Sequence, residues 1–171
     1  TFVERWVYSC PNGISGSLAG APGDPAQEVP VEEPVDPRMD AAYDAIEAGD
    51  WAAARAAYQS ILDSSPADPV ATAGLALVGV FERVAGTDHV AVLSAADSDP
   101  DDLAAQERAA DVLVLDGSPV EAFARLTGAI RFAAGPERDR LRTHLLELFD
   151  VVGPEDPSVA RARIDLANAL F

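Results

Sequence analysis

The run Asp97-Ser-Asp99-Pro-Asp101-Asp102 is the densest set of potential cation ligands in the chain. Its D-x-D-x-D spacing suggests a calcium loop. Such a loop needs Gly at its sixth position and Glu at its twelfth, and here those positions are Asp102 and Arg108. The run is therefore expected to be an acid-rich helix start, which the helix dipole favours. His89 and His144 are the only histidines, and neither has a nucleophile motif or ligand partner at useful spacing. Cys10 is the only cysteine, so no CxxC redox pair and no internal disulfide exists. No basic neighbour in sequence activates it, and it reads as an incidental linker thiol. Gly13-x-x-Gly16 lacks the strand and helix that would make it a phosphate loop. The expectation is a binding protein, not an enzyme, with no catalytic group, no metal and no cofactor.

The elements that would position any site follow from composition. A chain of 171 residues, 49% hydrophobic, has the size of one domain with an appendage. The net charge is −17, and all 12 basic residues are arginine. That balance argues against nucleic acid and anionic membrane as partners, since both need a cationic face. No run of about 18 apolar residues is present. Phe2 and Val3 are followed at once by Glu4 and Arg5, unlike a secretory leader, so a cytoplasmic location is expected. A start at Thr1 instead of Met reads as a fragment or processed product of something longer.

Residues 1–9 resemble the apolar tail of some element, and residues 10–37 a flexible Pro/Gly-rich linker with prolines at 11, 22, 25, 30, 34 and 37. From Met39 onward the pattern is alanine-rich and helical. A 34-residue frame fits 35–68, 69–102, 103–136 and 137–170. Ala54, Tyr58 and Pro66 meet the tetratricopeptide (TPR) spacing, and Ala122, Leu126 and Gly135-Pro136 approach it. Ala42, Ala76 and Ala110 recur at 34-residue intervals, where two helices must approach closely. Apolar faces are expected at Trp51, Ala54, Tyr58, Ile61 and Leu62, at Leu141, Leu145, Leu148, Phe149 and Val152, and at Val159, Ala162, Leu166 and Leu170. Asp68-Pro69, Ser118-Pro119 and Asp156-Pro157 mark helix starts, with Ser118 and Glu121 as a capping box. Gly49, Gly117 and Gly153 mark stops. The spacing predicts helices at about 38–48, 51–64, 69–85, 87–95, 100–116, 119–134, 136–152 and 157–170. The fold class is all-α: a TPR-like α-α superhelix, or solenoid, of about four helix pairs over 38–171, preceded by an extended linker within 1–37.

Most of the negative charge falls in residues 1–102, while seven arginines lie between Arg125 and Arg163. Two readings of that arginine-bearing end stand side by side. One is ordinary i,i+4 pairing around Arg138, Arg142 and Glu147. The other is a protein-docking surface.

The stretches Val120–Leu126, Glu137–Phe149 and Asp156–Phe171 resemble the C-terminal region of YbbN-type thioredoxin-TPR proteins, also called chaperedoxins (CnoX type). Ala48–Asp63 is similar to the first TPR of that family, and Thr1–Tyr8 to the end of a thioredoxin-like domain. The composition resembles an actinobacterial member. The resemblance implies a co-chaperone that holds unfolded clients and docks on a GroEL-type chaperonin or the DnaK system. It places candidate docking residues on the last helix: Leu166, Leu170 and Phe171, with Arg161 and Arg163 beside them. The other role open to the three apolar residues is sealing a terminal capping helix onto the solenoid. The alternative role is a passive scaffold positioning a thiol-disulfide oxidoreductase domain in cell redox homeostasis. The CxxC-bearing part is absent from this chain, so any redox step lies outside it.

Overall fold

The computed structural model describes residues 36–171. Cys10, the expected linker up to residue 35 and the resemblance of Thr1–Tyr8 to a thioredoxin-like end lie outside the described residues. Asp36 and Pro37, expected as linker, cap and open the first helix. Eight helices are present among those described: α1 (Pro37–Glu47), α2 (Trp51–Ser64), α3 (Pro69–Val84), α4 (His89–Ser98), α5 (Leu103–Leu115), α6 (Pro119–Phe132), α7 (Gly135–Val152) and α8 (Pro157–Leu170). The architecture is the all-α, TPR-like arrangement of helix pairs.

Side-chain caps set most of the starts. Asp36, Asp50, Asp68, Asp88, Asp102 and Asp156 each accept a backbone N–H of the first turn. Proline follows directly at Pro37, Pro69 and Pro157, where a missing N–H costs nothing. Ser118 departs from the expected capping box, because its side chain makes no cap bond. Replacing Asp68 by Ala is thus expected to cost about 1 kcal/mol. Ser118→Ala should stay within about 0.5 kcal/mol, as a surface change outside any such bond does. Urea unfolding of the two variants checks the difference.

Two of the turns within helix pairs are built identically. Gly49 N–H bonds Ile46 O and Asp50 N–H bonds Ala45 O; Gly117 N–H bonds Val114 O and Ser118 N–H bonds Leu113 O. Both glycines are left-handed, at φ 70° and 79°. This Schellman closure satisfies the last carbonyls of α1 and α5. The corresponding turn after α3 is different. Gly86 is also left-handed, but Thr87 bonds Val84 O through both its N–H and its hydroxyl. α3 and α4 meet at 83°. Two boundaries move accordingly. α4 begins at His89, not 87, because Thr87 belongs to the turn and Asp88 is the cap. α5 begins at Leu103, not 100, because Asp99 to Asp102 are spent in a turn closed by Asp102 N–H to Asp99 O.

The packing order explains where the core lies. α1 packs on α2, α2 on α3, α4 on α5, α5 on α6, and α6 on both α7 and α8. α3 packs on α5 and also reaches α7. In a strict stack each repeat touches only its neighbours. Here α3 of the second frame meets α7 of the fourth, so Leu77 and Val80 share one core with Leu141, Leu145 and Leu148. The first helix pair keeps a separate core of Ala42, Ile46, Ala54, Tyr58 and Ile61, joined to α3 through Ala71 and Val78. Ala42 and Ala110 are fully buried at their expected close approaches. Ala76 is only half-buried. The tight contact on α3 lies two residues earlier, at Gly74, which faces the Tyr58 ring.

Candidate protein-docking site

Two features tie the repeats together and a third is left open. The first is a polar junction among α3, α5 and α7. Asp111 stands in an otherwise apolar stretch of α5, with its side chain about 1% exposed. Arg83 of α3 grips it with Nε to Oδ2 at 2.7 Å and Nη2 to Oδ1 at 3.0 Å. This bidentate fork suits a guanidinium on a carboxylate. His144 of α7 brings Nε2 to 2.9 Å from Asp111 Oδ1, outside the angles of a proper hydrogen bond. Glu147, one turn on, lies 3.6 Å from Arg83 Nη1. Burial works against the Arg83 charge. The Asp111 hydrogen bonds, with support from Asp111, Glu147 and Glu107, outweigh it and hold the guanidinium above its ordinary pKa.

The second feature joins α2 to α3. Trp51 stacks on Phe81 with ring centroids 4.6 Å apart, and Arg55 pairs with Glu82. That pair lowers the Glu82 carboxyl and raises Arg55, chiefly through the side-chain hydrogen bond.

The third feature is a shallow groove between α6 and α8, with a volume of about 190 Å³. Its α6 wall includes Val120, Phe123 and Thr127; its α8 wall includes Ser158, Arg161 and Asp165. On each helix these residues recur at i, i+3 and i+7, so each wall is one helical stripe. Val120 is 69% exposed. Arg161 is held along its own helix by Asp165 at 3.2 Å.

The residues singled out on α8 divide among these roles. Leu166 is buried in the main core and seals α8 onto the bundle. Leu170 is half-buried against the same core. Phe171 is fully exposed, and Ile164, which the sequence pattern did not single out, is 60% exposed. Arg163 holds its guanidinium carbon 5.8 Å from the centroid of the Phe149 ring. Phe149 in turn meets Phe123 edge-on at 5.0 Å. Arg138 and Arg142 do not pair along α7 with Glu147. Arg138 instead donates from Nε to Ala133 O at the end of α6, and Glu147 faces Arg83. The arginines of this end bridge helices more than they pair at i,i+4, with Arg140–Glu107 a further cross-helix case at 2.8 Å.

The acidic run resolves into structural roles. Asp97 pairs with Arg125, Asp99 accepts from Asp101 N–H, and Asp102 caps α5. Among the described residues no group of three or more His, Cys, Asp or Glu side chains converges as a metal site would. Nor is any single helix there long and apolar enough to cross a membrane.

Comparison with known proteins fits this architecture. Over 169 residues the chain is 41% identical to uncharacterized proteins of Mycobacterium bovis and of Mycobacterium tuberculosis. That alignment covers 99% of the chain and 54% of each relative, so the chain spans about half the length of the curated proteins it matches. No solved structure matches. Residues 82–171, helices α4 to α8 with the end of α3, match the tetratricopeptide repeat, a protein-interaction module. On these paired helices and that match, the chain belongs to the tetratricopeptide repeat family.

Proposed function

We propose that this domain is the protein-binding part of a thioredoxin-like co-chaperone of the cytoplasm. It holds client chains that expose apolar segments and docks them to the folding machinery, a GroEL-type chaperonin or the DnaK system. The observation that supports this most is uncovered apolar area on α6 and α8, in the groove between them and at Ile164 and Phe171 outside its lining. The α6–α8 groove and the exposed Val120, Ile164 and Phe171 offer apolar area that no intramolecular partner among the described residues covers. The charge of −17 acts in the same direction, since like-charge repulsion keeps loaded complexes apart in solution.

Deleting 157–171 would be a poor test of docking, because Val159, Ala162 and Leu166 are core residues. Val120→Asp combined with Phe171→Asp touches only exposed side chains. The double variant should fold normally by circular dichroism. It should need roughly tenfold more protein to suppress aggregation of a denaturing client, the loss of about 1.4 kcal/mol of apolar contact. It should also lose chaperonin co-purification. Suppression and co-purification both unchanged would contradict the placement of the docking surface.

A further inference from the structure

α4 is the helix least anchored by a core. Of its residues only Ala96 is buried, and it meets Ala105 and Ala109 of α5, with Val92 and Leu93 half-buried at the edge. Leu93 alone also touches the main core. Among the described residues α5 is the only substantial helix partner of α4, because the chain turns by 83° after α3 and carries α4 away from it. A seam of three alanines removes little apolar area from water. Polar contacts do the rest. Gln106 Nε2 donates to Ala96 O at 2.7 Å and approaches Asp99 O at 3.4 Å, so it satisfies the carbonyl end of α4. Arg125 of α6 reaches Asp97 at 2.5 Å with one nitrogen and Gln106 Oε1 at 3.3 Å with another. At the other end His89 Nδ1 lies 3.1 Å from Asp116. The helix is flanked by Gly86, left-handed and with open space around it, and by the Asp99–Asp102 turn.

We propose that α4 is a releasable helix. It undocks from α5 as a unit while α3, α5, α6 and α7 stay packed, and the Asp97–Arg125–Gln106 cluster is the pin that holds it. Release uncovers a strip of α5 and α6 made of Ala105, Ala109, Gln106 and Arg125, which the closed form hides. Elements that open below the global unfolding energy have this character of few buried apolar contacts, and here the pin itself reaches solvent at Asp97.

Hydrogen exchange on the intact chain tests this. Amides of α4 should show protection at least about tenfold lower than those of α5 and α6, with residues 89–98 exchanging as one block. Asp97→Asn alters only an exposed side chain of the pin, 63% accessible. It should lower protection in α4 a further several-fold and leave α5, α6 and α7 unchanged. Protection in α4 equal to that of α5 and α6 overturns the proposal. So does an Asp97→Asn effect that is absent from α4 or spread evenly over all helices.

Discussion

Asp111→Ala should destabilise the domain by about 3 kcal/mol, at the low end of what removing one partner of a buried ion pair costs. The variant leaves Arg83 half-buried without its bidentate acceptor, and His144 facing an apolar void. Arg83 keeps Glu147 at 3.6 Å and is 35% exposed, so water and a second carboxylate recover part of the loss. That places the effect at the low end. A loss of that size lowers the melting temperature by roughly 10 °C in a domain of this length. Asp111→Asn keeps the shape and one acceptor oxygen, and should cost less than the alanine. Arg161→Ala, at the exposed i,i+4 pair with Asp165, should change stability by less than about 0.5 kcal/mol. Thermal and urea unfolding of the three variants read the order directly. Equal effects for Asp111→Ala and Arg161→Ala would remove the junction as a structural tie. The physical reason for the contrast is solvation. Without Asp111 the Nε and Nη2 side of Arg83 faces a site closed to solvent, whereas Arg161 and Asp165 are served by water when parted.

Gly74→Ala should destabilise by about 2 kcal/mol, although alanine is the better helix former by about 1 kcal/mol. A Cβ at this position would stand 2.3 Å from Tyr58 Cζ, with Cε1 and Cε2 also inside contact distance. Tyr58 is fully buried in the core of the first helix pair, so its ring has no free direction in which to swing. The clash therefore pushes α2 off α3, and with it the Trp51–Phe81 stack and the Arg55–Glu82 pair. The first helix pair has its own core, so the variant should unfold α1 and α2 ahead of the rest and broaden the urea transition. Gly128→Ala supplies the contrast. Gly128 lies in α6, where an added Cβ would meet nothing within 4 Å, and alanine there should stabilise by about 0.5–1 kcal/mol. Adding Tyr58→Leu to Gly74→Ala should recover part of the loss. Destabilisation of the same size at both glycines would mean that the Tyr58 contact is not what limits residue 74.

Local signals made the helices legible. Asp50 and Trp51, Asp68 and Pro69, and Asp156 and Pro157 each place an acceptor before a helix start, and α2 and α8 occupy the expected 51–64 and 157–170. The apolar stripe Leu141, Leu145, Leu148 and Phe149 fell into the core because period alone decides which face is apolar. What was not legible depends on distance in sequence. Arg83, Asp111 and His144 are separated by about a repeat each, and no spacing rule joins them. The one local signal was Asp111 itself, a lone acid between Ala110 and Val112 in an apolar run. Gly74 gave a similar signal, a glycine inside a strong helix pattern, where close approach is the usual reason. The contact of α3 with α7 was hidden by the repeat frame, which carries nearest-neighbour packing as an assumption. Leu166 and Leu170 were docking candidates through the family resemblance of the last helix, which carries no information on which of its apolar residues face the bundle. The fold buries the first and half-buries the second, leaving Ile164 and Phe171 as the exposed apolar residues of α8.

Capture of unfolded protein chains by exposed apolar surface is tested most directly by fluorescence anisotropy. The domain is titrated into a labelled, permanently unfolded polypeptide and, in parallel, into the same polypeptide in its native fold. Saturable binding of the unfolded form is expected, with a dissociation constant of about 1–10 μM, and at least about tenfold weaker binding of the folded form. Equal affinity for the two forms, or no binding of the unfolded chain at about 100 μM, would contradict a client-holding role.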